Sequence, residues 1–288
     1  GHDIDGMVGV YDELIDGMDR YGVLVFHDQP LTDEQHLAFT QALGPLEDTA
    51  RNTLRRPEDL RLPQFFADVS NLNGQNKPFA RDDRKRLFAI GNRLWHSDSS
   101  FKVIPAKYSL LHAVSLPSKG GDTQFADMRA AYDALDAETR ATIEGLRVHH
   151  TIVHSRHVLG FDFSDDEKEK LKGADHPLVR TIPTSGRKAL YLASHAEHVE
   201  GWPVPEGRLL LADLMAHATQ KKYEYRHQWQ YGDMVIWDNR SVMHQANADY
   251  DMKETRRLYR MMIKGQLHPS DLEATRGVRA HVAQRVPV

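Results

Sequence analysis

The apolar positions of this chain fall in short runs, and the spacing inside each run predicts an element. Over residues 7–20, Val8, Tyr11, Ile15 and Met18 recur at steps of three and four, the period of an amphipathic helix. Gly22 stops that helix, and Val23-Leu24-Val25-Phe26 reads as a short buried strand. Thr32-Asp33-Glu34-Gln35 is a capping-box pattern that opens a second helix to about Leu43, with Gly44 as its stop. Helix, strand and helix together predict an edge of a sheet. No glycine-rich phosphate loop follows the strand, so a nucleotide-binding unit is not expected.

Residues 45–93 are mostly polar, with one apolar run at 62–69 and a mixed-charge run at 81–86. Mixed charge predicts a solvated face or loop, and a lid is the alternative for a long loop in that position. Strands are predicted at 107–116 and 122–126 around a Pro-Ser-Lys-Gly-Gly turn. Asp127 and Asp136 stand where helix caps would, for helices reaching Leu135 and Leu146. From Val148 onward the pattern predicts mainly strands: 176–182 and 188–194 about a turn, then 223–229, 234–237 and 257–264. One helix interrupts them at 206–220, with Leu209, Leu210, Leu214 and His217 as its apolar face. No repeat or linker divides residues 1–288, which read as a single domain with a charged tail at 269–288. Many short strands with helices set aside predict a mainly β fold with peripheral helices, a double-sheet jelly roll.

Composition changes this picture in two ways. The net charge of -4 gives no global reason to expect nucleic acid or an anionic membrane as partner. The chain has no cysteine, which excludes disulfides, iron–sulfur clusters and thiolate zinc sites and fits a cytoplasmic setting. No apolar run approaches the roughly 18 residues that a membrane span needs.

The candidate chemistry starts at Trp95-His96-Ser97-Asp98-Ser99-Ser100-Phe101. Residues two apart on an extended segment project to one side, so His96 and Asp98 can share a ligand. Joined by a distant His they would form a two-His-one-carboxylate facial triad, which leaves metal positions open. Among 17 His and 41 acidic residues such a pairing also arises by chance. His244 lies at the end of an apolar strand, where a jelly roll brings distant strands face to face. Arg256 and Arg260, four apart, fall on one face of a strand, and guanidinium groups suit bidentate carboxylate binding. Surface cations and hydrogen-bonded core histidines are the plainer reading of the same residues.

As a set, the stretch around His96, Gly120-Gly121-Asp122-Thr123, Asp127-Met128-Arg129-Ala130-Ala131-Tyr132, Gly232-Asp233 and Trp237-Asp238-Asn239-Arg240 with His244 resemble one family. This is the taurine dioxygenase/2,4-D dioxygenase family of Fe(II)- and 2-oxoglutarate-dependent oxygenases. The resemblance runs from about residue 1 to 264 and is greatest to the 2,4-dichlorophenoxyacetate branch, where the segments 195–201 and 223–229 also belong. It implies a double-stranded β-helix and Fe(II) held by His96, Asp98 and His244. It also implies 2-oxoglutarate held by Arg256 and Thr123, with Arg260 beside the iron-bound or the substrate carboxylate. Asn92, His195, His198 and Arg260 become the expected contacts of a small anionic aromatic substrate.

One departure is visible. The step from His244 to Arg256 is one residue longer than the family spacing, so Arg257 rivals Arg256 and a bulge in 245–251 is expected to absorb the difference. The implied reaction consumes O2, converts 2-oxoglutarate to succinate and CO2, and hydroxylates an aryloxyalkanoate, which then breaks to a phenol and glyoxylate. Taurine-like sulfonates or other small carboxylates are the alternative substrates. A zinc hydrolase on a cupin-like barrel and a silent binding barrel are the alternative classes. The resemblance also implies a homo-oligomer.

Overall fold

Two sheets face each other, and the residues that alternate inward from both build one core. The computed structural model describes residues 11–48, 62–63 and 65–269; the expectations for 7–10 and for the tail from 270 onward lie outside these. The larger sheet has the order β1 (Val23–Phe26), β11 (Met234–Asp238), β3 (Ala106–Ser115), β13 (Arg257–Lys264), β2 (Ala67–Ser70). The smaller has β10 (Glu224–His227), β4 (Thr123–Asp127), β12 (Val242–Ala246). Leu111, Ala113, Val235, Trp237 and Leu258 of the first pack on Phe125 and Val242 of the second. Among the described residues the two sheets remain separate ladders, a jelly roll that hydrogen bonds do not close.

Both sheets are covered on their outer faces as well. Helices α1 (Tyr11–Tyr21) and α2 (Asp33–Leu43) lay Leu14, Met18, Phe39 and Leu43 on Tyr108, Leu110, Met234 and Ile236. That is why β11 is buried at every position and reads as an unbroken apolar run. The α2 capping box forms as its sequence predicts, with Thr32 accepting from the Gln35 amide. Over the smaller sheet lie α4 (Met128–Asp133), α8 (Val204–Ala218) and the hairpin of β7 (Val179–Thr181) and β8 (Lys188–Leu190). A third sheet, β6 (Ala174–Pro177), β5 (Arg147–His150), β9 (Ala196–Val199), flanks the opening. No helix is long and apolar enough among the described residues to cross a membrane.

Several expectations need correction. The buried stripe of α1 is Leu14 and Met18, and Tyr11 faces solvent. The charged run at 81–86 is partly helical: Asp83 caps α3 (Arg84–Ala89) by accepting from the Lys85 and Arg86 amides. Periodicity is too short there to show in six residues. The same holds for α6 (Ile152–His157) and α7 (Asp165–Lys170), which fall in the stretch from Val148 onward that was read as mainly β. The cap positions Asp127 and Asp136 are right, but α4 and α5 (Ala137–Ile143) end short of Leu135 and Leu146.

In α8 the buried face is Gly207, Leu211, Leu214 and Ala218, while Leu209 is 67% exposed. Gly207 lets the helix lie close to β9: a Cβ there would stand 3.2 Å from the Val199 side chain, a tighter contact than side chains usually make. Leu214→Ala is therefore expected to cost about 2–5 kcal/mol of stability. Leu209→Ser should stay within about 0.5 kcal/mol of the parent. Urea melts of the two variants check this, and equal losses would mean that the helix sits on its other face.

Candidate active site

The site begins with a backbone contact. The 3-10 turn at Ile90–Arg93 ends, the chain extends, and His96 meets β12 in an isolated antiparallel bridge with His244. The His96 amide donates to the His244 carbonyl at 3.0 Å and the His244 amide returns a bond of 2.8 Å. Side chains of directly opposed residues leave on one face, and the two rings lie 4.1 Å apart. Asp98 completes the group, its carboxylate oxygens 3.8 Å from Nε2 of His96 and 3.8 Å from Nε2 of His244. All three ligand atoms lie within 4.8 Å of one another and all three residues are buried.

Neighbouring groups set the charge state that a divalent metal needs. The His96 Nδ1 lies 2.8 Å from the Leu94 carbonyl, so it carries the proton and Nε2 keeps its lone pair. Burial lowers the His96 pKa to about 4 despite the opposing pull of Asp98, and burial with the His96 charge pushes His244 well below its ordinary value. For Asp98, burial alone would raise the pKa. The charges of Arg260, His244 and His96 and the Ser109 hydroxyl outweigh it and hold the carboxyl at about 2. Two neutral imidazoles and one carboxylate fit Fe(II) or another borderline divalent ion.

Asn239 and Ser99, quoted above only as parts of motifs, and Ser109 and Glu47, which the sequence did not single out, turn out to hold this geometry. Asn239 accepts from the Asp98 amide at 3.1 Å and from Trp237 Nε1 at 3.0 Å, and donates to Ser109 at 2.9 Å. Ser109 passes the order on to Asp98 at 2.7 Å. Ser99 is held at φ 57, a conformation unusual outside glycine, by its hydroxyl bond of 2.7 Å to the buried Glu47, which also pairs with Lys102. Ser109, Asn239 and Glu47 carry no spacing signal toward the triad segment because their partners there are 11, 141 and 52 positions away.

The arginines occupy the interior face of β13 and its approach. Arg260 donates to Asp98 at 2.5 Å, and its Nε is buried with no protein partner. Leu258, two residues before it, lies in the core between the sheets, while Tyr259 packs outside with Phe66 and Met261. Arg256 therefore shares the inner face and Arg257 does not. The bulge expected in 245–251 is absent: a loop follows β12, and the register shift falls at Arg257/Leu258, opposite Val114. Asn71 fixes the end of that loop. It accepts from the Arg256 amide and donates to the carbonyls of Met252 and Glu254.

Arg256 is buried and both Nε and Nη2 donate to the Gly121 carbonyl, at 3.0 and 2.9 Å. No carboxylate of the described residues lies within ion-pair reach of it, and burial pushes its pKa down. Thr123 opens β4 two residues after Gly121. Its oxygen already accepts from Trp229 Nε1 at 3.0 Å, which leaves the hydroxyl proton free to donate elsewhere. A cleft lined by Asn71, Phe79, Asn92, Arg93, Tyr250 and Arg256 opens here, so the 45–93 region does border the site.

Gly121 has φ +78, and a Cβ would stand 3.0 Å from Arg256 Nε. Gly121→Ala is expected to cost about 1–2 kcal/mol and to displace the guanidinium. Calorimetry and the 2-oxoglutarate KM check the two effects together; a stable variant with unchanged KM would separate Gly121 from the cleft.

His195 and His198 part company. His195 is buried, its ring 6.1 Å from that of His96 and 5.0 Å from Phe101. His198 stacks on His149 of β5 at 5.2 Å and faces Glu197, half-exposed, so its contacts join it to the flanking sheet. The expectation that both line one pocket is not met, because neighbouring positions on β9 and its approach point apart. Arg156, absent from the sequence reading, is buried between α6 and the Ile90–Arg93 turn, donating to the Phe88 carbonyl at 3.1 Å and to Ser155 at 2.7 Å.

Comparison with known proteins gives consistent results. Residues 8–262 match the family described as taurine catabolism dioxygenase TauD, TfdA family. An alpha-ketoglutarate-dependent 2,4-dichlorophenoxyacetate dioxygenase of Cupriavidus pinatubonensis is 47% identical over 244 residues, 84% of each chain. A (S)-phenoxypropionate/alpha-ketoglutarate-dioxygenase of Sphingobium herbicidovorans is 36% identical over 255 residues, covering 85% of this chain and 83% of that one. The crystal structure of AAD-2 in complex with Mn(II) and N-oxalylglycine superposes with a TM-score of 0.89 at 48% identity, covering 93% of both chains.

Proposed function

The chain belongs to the taurine catabolism dioxygenase TauD, TfdA family, and on that premise we propose that it hydroxylates an aryloxyalkanoate of the phenoxyacetate type. It is an oxidoreductase that uses Fe(II), 2-oxoglutarate and O2, and this replaces the zinc-hydrolase and silent-barrel alternatives. The observation that carries the reading is the company the triad keeps. One buried guanidinium with no carboxylate partner, Arg256, and one half-buried guanidinium that pairs with Asp98 yet keeps a buried Nε unpartnered, Arg260, stand beside three convergent metal ligands. Buried unpaired charge is costly, and a dicarboxylate cosubstrate with a carboxylate substrate removes that cost.

His96, Asp98 and His244 would hold Fe(II). When bound, the metal with 2-oxoglutarate supplies the oxidation: O2 is consumed, one oxygen atom enters succinate as CO2 leaves, and the other hydroxylates the substrate. The protein's part is placement and exclusion of water. Arg256 takes the distal carboxylate of 2-oxoglutarate, and the free Thr123 proton donates to the same group. Arg260 keeps Asp98 ionised and turns its Nε to the carboxylate nearest the metal. His195 and Asn92 meet the substrate, and His198 is left out of the pocket. Hydroxylation of the carbon bearing the aryloxy group gives a hemiacetal, which collapses to a phenol and glyoxylate.

Incubation with Fe(II), 2-oxoglutarate and either phenoxyacetate or taurine tests the substrate class. Phenol and succinate in equal amounts from phenoxyacetate are expected. Sulfite from taurine, with no phenol from phenoxyacetate, would move the chain to the sulfonate class.

A further inference from the structure

Behind His195 runs a short buried chain of hydrogen bonds that ends at no solvent and no charge. Ser100 Oγ lies 2.9 Å from His195 Nδ1 and 3.2 Å from His150 Nδ1. All three residues are buried, Ser100 and His150 completely. The outward nitrogens, Nε2 of His195 and Nε2 of His150, are both buried with no protein partner. A neutral imidazole carries one N–H and one lone pair, and a hydroxyl has one proton to give. Two orders place the hydroxyl proton between Ser100 and one of the rings. A third, with both Nδ1–H groups donating to Ser100, leaves the buried hydroxyl proton without either ring as acceptor and is set aside.

In the first, His150 Nδ1–H donates to Ser100 and the Ser100 hydroxyl donates to His195 Nδ1. His195 then presents Nε2–H, and His150 keeps a bare lone pair at its far nitrogen. In the second, every donor reverses. His195 then presents a lone pair, and His150 is left with a buried N–H that nothing accepts. Orphaned buried N–H groups are rarer and more costly than orphaned acceptors. Arg180 weighs the same way: its guanidinium lies 3.8 Å over the Tyr191 ring, on which His150 packs at 5.5 Å and His176 at 5.4 Å. A lone pair on His150 is compatible with that nearby cation, whereas an N–H is not favoured by it.

We propose that His150 and Ser100 are positioning residues that lock His195 in its Nε2–H form, so that the ring offers a donor to an anionic or ether oxygen of the substrate. The first order then leaves no unsatisfied N–H once such a substrate is bound, and the second leaves one at His150 and turns a lone pair toward the anion. The relay thus selects for substrates with an acceptor at this place, and it acts without touching them. This rests on His195 facing the substrate, as proposed above.

The test uses the full chain with histidine labelled in 15N, loaded with Zn(II) as a diamagnetic metal, 2-oxoglutarate and phenoxyacetate. Long-range proton–nitrogen correlation, with His195→Asn for assignment, reads the tautomer directly. The expected result is His195 protonated at Nε2 in the parent and a mixture of tautomers in Ser100→Ala. Kinetically, Ser100→Ala and His150→Leu should raise the phenoxyacetate KM roughly tenfold, as when a hydrogen bond to a charged group is weakened. The 2-oxoglutarate KM should hold, and Ser100→Thr, which keeps the hydroxyl, should restore the parent value.

A His195 protonated at Nδ1 in the parent, or a pure Nε2–H form that survives Ser100→Ala with unchanged KM, overturns the relay. The visible absorption of the Fe(II)–2-oxoglutarate complex keeps the two readings apart. If the parent shows that band, a wrong tautomer counts against the relay alone; if the parent lacks it, the dioxygenase reading fails whatever the tautomer.

Discussion

His244→Ala is expected to fold as the parent does and to lose its metal. The bond that joins His244 to His96 runs between their backbones, at 2.8 and 3.0 Å, so an alanine keeps the bridge and removes only the ligand. The ring does pack on Trp237 at 4.6 Å, and its loss opens a small cavity, for which a few degrees in Tm are expected. Tight structural sites with four ligands bind zinc with about 10–16 kcal/mol, roughly 3 kcal/mol for each ligand. One ligand lost from three should thus weaken Fe(II) binding by about a hundredfold or more, and turnover should fall to background at micromolar iron. Equilibrium dialysis against Fe(II) under argon, with a thermal melt alongside, separates the two effects. Undiminished metal binding in a well-folded variant would remove His244 from the centre.

Arg256→Met should raise the KM for 2-oxoglutarate by about two orders of magnitude or more, because removing one partner of a buried charge pair costs about 2–5 kcal/mol. In the absence of cosubstrate the guanidinium hydrogen-bonds the Gly121 carbonyl, and no carboxylate of the described residues pairs with it directly, although Asp122 and Asp249 act on its charge from further off. Replacing an uncompensated buried charge by an apolar side chain of similar length is often neutral or stabilising. The same variant should therefore melt no lower than the parent without 2-oxoglutarate, and should gain less from adding it. Arg257→Met is the control, since alternation puts that residue on the outer face of β13. A larger KM effect at Arg257 than at Arg256 would reverse the assignment.

What the sequence shows of this molecule follows from the range of its interactions. β1 and β11 are legible because each is a run of apolar residues held between two packed layers, and β13 because apolar residues predominate between its arginines. The α2 start is legible because Thr32 and Gln35 cap it within one turn. Where the deciding contact is remote, the reading slips. The stripe of α8 turns on how closely Gly207 comes to Val199 of β9, which no period within the helix reveals. Short helices such as α3 and α6 span fewer than two turns, too few for a 3.6-residue period to declare itself.

The site divides in the same way. His96 and Asp98 offer only a two-residue step and His244 a place after an apolar run. It is the resemblance of the whole motif set that joins them; the structure sets His244 in the middle of β12. The groups that make the triad usable offer no such sign, because Asn239, Ser109 and Asn71 act through single hydrogen bonds across the fold. His195 and His198 look equivalent in sequence, three residues apart in one motif. Packing alone distinguishes the buried ring beside His96 from the half-exposed ring of β9 that stacks on His149.

The central claim is that His96, Asp98 and His244 hold Fe(II) with 2-oxoglutarate beside Arg256. Anaerobic titration of the purified protein with Fe(II) and 2-oxoglutarate, followed by visible absorption, addresses it most directly. The account predicts a weak charge-transfer band that saturates at one metal and one cosubstrate for each chain, shifts on adding phenoxyacetate, and disappears in Asp98→Ala. Folded parent protein that takes up Fe(II) yet never develops the band would contradict it.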